Sequence, residues 1–336
     1  MSGSSFVVAA ETQSVGSGWL WAVSIAALLA LLVADFAVTH RPHEVSLREA
    51  IGWSVFYLAL PVLFGIGLWW WLGTDQALEF FAGFVVEKSL SVDNLFVFML
   101  LLTAFAVPTN LVQRVLLYGI VGALVLRGAF IAMGAALLQA GTWAFLVFGA
   151  ILFATAVKIL REALGGESME RDVSQMRSVR LLRRWMPVTE EYHGTSLTVR
   201  SAGRRALTPL TLVVVAVFAT DVVFAVDSVP AVYGITEDPY LVFTTNAFAL
   251  LGLRALYFVL QSALGKLVHL NHGLALILAF IGVKLMLHWA HGLWPAVPEF
   301  STPVSLSVIV VILGVVTVTS LRAGRRSVEK ETANGG

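Results

Sequence analysis

Two stretches decide the fold of this chain: Glu87-Lys88-Ser89-Leu90-Ser91-Val92-Asp93-Asn94 and Asp221-Val222-Val223-Phe224-Ala225-Val226-Asp227-Ser228. In each, two acids stand six residues apart and a small polar residue follows the second. What comes after them repeats as well. Leu126-Arg127-Gly128-Ala129-Phe130 corresponds to Leu253-Arg254-Ala255-Leu256-Tyr257, and Ala156-Val157-Lys158-Ile159-Leu160 to Gly282-Val283-Lys284-Leu285-Met286. Four charged positions thus recur in the same order with the same signs, so 78–162 and 208–290 read as two copies of a three-helix unit. An odd helix number makes the second copy enter from the opposite side. The pattern therefore predicts an inverted-topology repeat, an arrangement that in secondary transporters places the site near the midplane between the copies. A two-fold relation would bring Glu87 onto Asp221 and Arg127 onto Arg254. It also reverses the lysines, with Lys158 near the inner end of its helix and Lys284 near the outer end of its own.

Composition sets the surroundings of these units. Of 336 residues, 58% are apolar and 13% are charged, about half the charged share of a soluble domain; mean hydropathy is +0.85. These values exclude a soluble globular enzyme, a disordered chain and a nucleic-acid binder, and imply an all-α polytopic membrane protein. The chain contains no cysteine, which excludes disulfides, thiolate metal sites and thiol redox chemistry. Hydropathy predicts about nine spans, at 19–38, 51–72, 78–105, 113–138, 143–162, 208–233, 240–262, 270–290 and 302–321, each near the roughly 20 residues needed to cross. The first is not a cleavable signal, since no basic residue precedes it and His40 and Arg41 follow it. The chain divides into two helices within 1–77, a first repeat at 78–162, a basic loop at 163–207, a second repeat at 208–290, and a last helix with a basic tail at 291–336.

The basic residues orient the spans. Arg41, Arg48, Arg114, nine arginines between 161 and 207, Lys266, Arg322, Arg325, Arg326 and Lys330 all fall on one side, whereas residues 1–18 and the connections on the other side hold neither Lys nor Arg. Positive charge stays in the cytoplasm, which predicts an external N-terminus and a cytoplasmic C-terminus. Trp19, Trp21, Trp69, Trp70, Trp71, Trp143, Trp289 and Trp294 gather near the outer interface as an aromatic belt. Within the loop, Thr195–Arg200 alternates and Ser201-Ala202-Gly203 can turn it, so a small hairpin is expected there; its arginines read as ordinary inside-positive charge.

Glu87, Asp93, Asp221 and Asp227 sit deep in predicted spans, with Arg127 and Arg254. An ionised group at the bilayer centre costs about 2.5–3.5 kcal/mol on insertion scales, so these groups must face one another, a cavity or an ion. Six residues advance a helix by about 9 Å and turn it by about 600°, which sets the two acids of each pair about 120° apart. Asn94 returns to the face of Glu87, and Ser228 to that of Asp221. Pro230 removes a backbone donor, which predicts a kink or break beside Asp227 that frees carbonyl oxygens for an ion. All seven histidines lie in loops or near helix ends, which disfavours zinc and copper; oxygen ligands suit Mg²⁺, Ca²⁺ or Mn²⁺ and do not choose among them. The competing reading is structural, with the four acids paired to Arg127, Arg254, Lys158 and Lys284. Lys88 has no counterpart in the second repeat and is expected to pair locally with Glu87. Asp35 is expected at the inner interface. Asn246 either coordinates or hydrogen-bonds across helices.

The motif at 87–94, together with Phe224-Ala225-Val226-Asp227-Ser228-Val229-Pro230-Ala231 and Thr245-Asn246-Ala247-Phe248-Ala249-Leu250-Leu251-Gly252-Leu253-Arg254-Ala255-Leu256-Tyr257, strongly resembles the TerC family of integral membrane proteins. The likeness spans roughly 50–320 and is nearest to the family's Alx-type branch, also described as a membrane-bound redox modulator. It implies metal-ion efflux, most often of Mn²⁺, within the wider LysE-type transporter superfamily; the tellurium-resistance label names a phenotype. Many relatives carry a further acid three residues before the position of Asp221, where this chain has Phe218, so no ligand role carries over there. The expectation is an inner-membrane Mn²⁺ exporter working by alternating access, with proton antiport natural to carboxylates that release a cation. Glu87, Asp93, Asp221 and Asp227 would bind the cation with help from Asn94, Ser228 and Asn246, while Arg127 and Arg254 would hold the acids between ions. No permanently bound cofactor, nucleotide or nucleic acid is expected, and no enzymatic activity; the bilayer and a divalent cation are the expected partners. The alternative is a redox modulator or an assembly factor for other membrane proteins, which would need no duplicated acids.

Overall fold

Apolar runs of spanning length, joined by connections of one to eight residues except for the long loop after Gly165, leave the chain little choice but antiparallel helices. The computed structural model describes residues 14–39, 47–165, 188–189, 191–201, 204–262 and 270–334. The helices are α1 (Gly18–Thr39), α2 (Leu47–Leu72), α3 (Thr74–Ala104), α4 (Thr109–Ala140), α5 (Trp143–Gly165), α6 (Pro209–Tyr233), α7 (Pro239–Leu251), α8 (Leu253–Ser262), α9 (Leu270–Leu293) and α10 (Thr302–Asn334). Strands β1 (Thr198–Ser201) and β2 (Arg204–Leu207) pair antiparallel, Thr198 opposite Leu207, at the alternating stretch. A single residue, Gly73, separates α2 from α3; its φ of 110° is open to glycine and strained for other residues. Proline opens α6 and α7, and Asp238 caps α7 by accepting from Tyr240 N at 2.7 Å and Leu241 N at 3.3 Å, satisfying donors that a helix start leaves unpaired.

Each predicted span corresponds to a described helix or to the bent pair α7–α8, and two expectations about them are corrected. By length and composition, seven described helices can cross a membrane, and the bent pair α7–α8 makes an eighth. The ninth predicted span, α3, has 31 residues and is long enough, but Glu79, Glu87, Lys88 and Asp93 make it too charged to count as apolar. The break is not at Pro230. Helix α6 runs unbroken through it to Tyr233, because a proline so near the C-terminus costs little of the helix. The chain instead breaks at Gly252, where α7 and α8 meet at 44°. Finally, α10 continues past its span through the basic tail to Asn334.

The helix contacts are compatible with the predicted two-fold relation. Helix α3 packs on α7 and α4 on α6, each pair being the counterpart of the other; α5–α9, α3–α6 and α4–α7 also pack, and each maps onto itself. Small residues set the closeness of these contacts, as is usual in membranes. At the α5–α9 crossing a Cβ on Gly149 would lie 2.8 Å from the Gly282 carbonyl oxygen, and one on Gly282 would lie 2.9 Å from that of Gly149. Helix α4 offers α6 a glycine face: a Cβ on Gly119 would meet Val217 at 2.9 Å, one on Gly134 would meet Tyr233 at 2.6 Å, and one on Gly122 would overlap the Phe218 ring. Phe218 therefore serves packing here.

The described part of the loop is tied to the end of the bundle where α3 closes, with Tyr192 Oη donating to the Phe105 carbonyl at 2.8 Å. Burial raises the Tyr192 hydroxyl above its usual range, keeping it a donor. Residues 166–187 and Lys266 lie outside the described residues. At the opposite end Trp19, Trp69, Trp70, Trp71, Trp143 and Trp294 are exposed, as an interfacial belt requires.

Candidate ion site

The apolar interior is split in two. One core cluster takes Leu95, Ala123, Val217 and Ala247; the other takes Leu90, Ile131, Val229 and Val242. On α3, α4, α6 and α7 alike, the polar residues Ser91, Asn94, Arg127, Asp221, Ser228 and Asn246 fall in the interval between these layers. The site is thus a polar seam between two hydrophobic plugs, reached by four helices.

Arg127 is its hub, with no accessible surface. Its guanidinium pairs with the Glu87 carboxylate, and Nη2 lies 3.8 Å from Asp221 Oδ1. Nη1 donates to Asn246 Oδ1 at 2.8 Å. With the Asn94 amide in the orientation that satisfies both its groups, Nη2 donates to its oxygen at 3.2 Å while its nitrogen donates to the Leu90 carbonyl at 3.1 Å. Glu87, Asn94, Asp221 and Asn246 are all nearly or fully buried. Planar guanidinium donors suit such a ring of oxygens, and the glycine face of α4 lets Asp221 come within range.

The ring is not fully satisfied. Among the described residues, Glu87 Oε2, Asp221 Oδ2, Ser91 Oγ, Ser228 Oγ and Arg127 Nε are buried without a hydrogen-bond partner. Leaving such groups unpaired costs about 1–3 kcal/mol each, and native interiors rarely tolerate several together. These oxygens match the hard-ligand chemistry of Mg²⁺, Ca²⁺ and Mn²⁺. No group of three acids or histidines among the described residues converges into a metal shell; Arg127 holds the carboxylates instead.

The other predicted residues divide. Asp227 faces α5, where Thr155 Oγ1 donates to its Oδ1 at 2.8 Å and the charge of Lys158 acts on it. It therefore points away from Arg127, as the turn between positions six apart requires. The side chain of Asp93 lies outside the described residues. Arg254 pairs with Asp35 at 2.6 Å, and Tyr57 Oη donates to the same carboxylate oxygen at 2.7 Å. Asp35 is thus buried between three helices, and nothing in its own stretch of sequence signals that partner. Lys88 also departs from the expected pairing with Glu87: its Nζ donates to the Ala249 carbonyl of α7 at 3.2 Å. Lys284 lines a cavity of about 530 Å³ where α6 gives way to α7, with Glu79, Glu237, Asp238, His288 and Glu299. Thr155 and Tyr57 were not singled out in the sequence; each binds an acid from another helix, and a lone hydroxyl carries no pattern.

The profile of the integral membrane protein TerC family matches residues 72–328. An uncharacterized membrane protein of Myxococcus xanthus is 40% identical, covering 94% of this chain and 95% of its own length. An uncharacterized membrane protein of Mycobacterium tuberculosis is 40% identical over 92% of this chain and 80% of its own. Alx of Escherichia coli K12, named as a proposed membrane-bound redox modulator, is 37% identical over 91% of this chain and 94% of its own. No solved structure matches significantly.

Proposed function

This chain belongs to the TerC family of integral membrane proteins, and from that premise we propose that it exports a hard divalent cation, Mn²⁺ foremost, across the inner membrane by alternating access. One observation carries the proposal: Glu87, Asp221, Asn94 and Asn246 gather around Arg127 in a buried seam that still holds unpartnered oxygens. Arg127 acts as a resident counter-charge. A divalent cation arriving in the seam competes with the guanidinium for Glu87 and Asp221, and when it leaves the guanidinium closes on them again. The carboxylates are thus neutralised with and without the cation, so the seam avoids the cost of bare charge in low dielectric. Asp227 and Asp93, one to two turns away along α6 and α3, serve as further ligands on the path, with Ser228 assisting. Carboxylates that release a cation take up protons readily, which favours proton antiport.

The reading as a redox modulator, which the name of the Alx relative offers, would have to work without thiols, because the chain has no cysteine. The transport reading is tested with Glu87→Gln and Asp221→Asn in a manganese-sensitive host, measuring membrane abundance beside resistance. Resistance lost at normal abundance supports it. Normal resistance in both variants refutes it.

A further inference from the structure

Helix α7 ends at Leu251 inside the bundle, well short of a complete crossing, and the chain resumes as α8 after Gly252. The last carbonyls of a helix have no intrahelical donor and carry the negative end of its dipole. At a helix terminus within a membrane these oxygens need a partner. In transporters with broken helices, such freed carbonyls are a place where a coupling cation binds.

Here the partner is Lys88. Its ammonium reaches from α3 and donates to the Ala249 carbonyl, in the last turn of α7, at 3.2 Å. Among the described residues it makes no ion pair, and this carbonyl is its hydrogen-bond acceptor. Gly252 makes the room, since a Cβ there would stand 3.3 Å from Nζ and 3.0 Å from Tyr57 Cβ. Lys88 has no equivalent in the second repeat, where Val222 stands, and α4, the helix that the repeat matches to α7–α8, runs unbroken from Thr109 to Ala140. The lone lysine and the broken helix therefore occur together, and the unbroken counterpart lacks both.

We propose that the α7–α8 break is a monovalent-cation site filled by a tethered ammonium, and that Lys88 is the positioning residue that holds the break in place of a soluble ion. It stands independently of what the protein moves. Glu87 and Lys88, although adjacent, serve different ends: Glu87 faces Arg127 in the seam, and Lys88 fastens α3 to the half-helix that carries Asn246.

The test is chemical rescue of thermal stability in the purified full-length protein. Lys88→Ala removes the stem and the charge together, and n-propylammonium can replace both. The variant should melt several degrees below wild type and regain most of that loss, saturably, with n-propylammonium but not with n-propanol. The wild-type melting temperature should respond to neither. An unchanged melting temperature in Lys88→Ala, or equal rescue by the alcohol, overturns the proposal. Should Lys88→Ala not accumulate, Lys88→Arg and Lys88→Met carry the same comparison through membrane abundance. Arg retained with Met lost supports a required cation at the break; any other pattern overturns it.

Discussion

Arg127 concentrates the energetics of the seam. With two acids on one buried guanidinium, removing the arginine strands both, and breaking a buried pair costs about 3–5 kcal/mol. Arg127→Met should therefore lower abundance sharply. Adding Glu87→Gln should recover part of the loss, with a coupling energy of about 1–3 kcal/mol in a double-mutant cycle of detergent unfolding. Strict additivity would show that the pair carries no interaction. The second buried arginine behaves as a fastener. Asp35→Asn should reduce abundance, whereas Tyr57→Phe, which removes one hydroxyl from the same oxygen, should cost about 1 kcal/mol; equal losses from both would deny the charge its role. The central acids and Arg127 were legible in the sequence because intramembrane charge is expensive and these charges were duplicated. Asp35 was not, because it lies near the end of an apolar run and its partner Arg254 is 219 residues away. Hydropathy sees the run and not the partner. Likewise nothing in the sequence separates Asp227 from Asp221 beyond helix phase, yet the structure sends one to Thr155 and the other to Arg127.

Between helices, glycine decides how near the polar groups come. Leucine at Gly149 would drive α5 from α9, because its Cβ meets a backbone carbonyl that cannot turn aside. Overpacking of this kind costs about 1–3 kcal/mol or more. Gly128, on α4 beside Arg127, has open space where a Cβ would go, so Gly128→Ala should be neutral or mildly stabilising, by about 0.5–1 kcal/mol from helix propensity. Melting both variants in detergent checks the contrast, and a Gly149→Leu protein as stable as Gly128→Ala would remove the close crossing from the account. Helix ends other than that of α10 were readable to within a few residues from apolar run length, and the loop hairpin from strict alternation. The break was misplaced for a physical reason. Proline advertises a lost hydrogen bond wherever it stands, but within the last turn of α6 the helix is ending anyway. Gly252 advertises nothing, and only the packing of Tyr57 and Lys88 against it marks the interruption.

Across the whole molecule, the bias of Lys and Arg, the aromatic end and the packing of counterpart helices are mutually consistent. A reporter fused after Gly336 should be active only in the cytoplasm, and one placed between α4 and α5 only outside, because connections rich in Lys and Arg stay in the cytoplasm; the reverse pattern would invert the account. The polar seam between two apolar layers is a whole-molecule property, since four helices contribute to it and none reveals it alone. That it passes a cation is the central claim. The most direct measurement is flux through the purified protein in liposomes, following Mn²⁺, Mg²⁺ and Ca²⁺ separately for wild type and Asp221→Asn. Wild type should carry Mn²⁺, and Asp221→Asn, of unchanged fold and amount, should carry it at least tenfold more slowly, equivalent to about 1.4 kcal/mol. Wild-type protein that moves none of the three ions, or an Asp221→Asn protein that moves Mn²⁺ as fast as wild type, would contradict it.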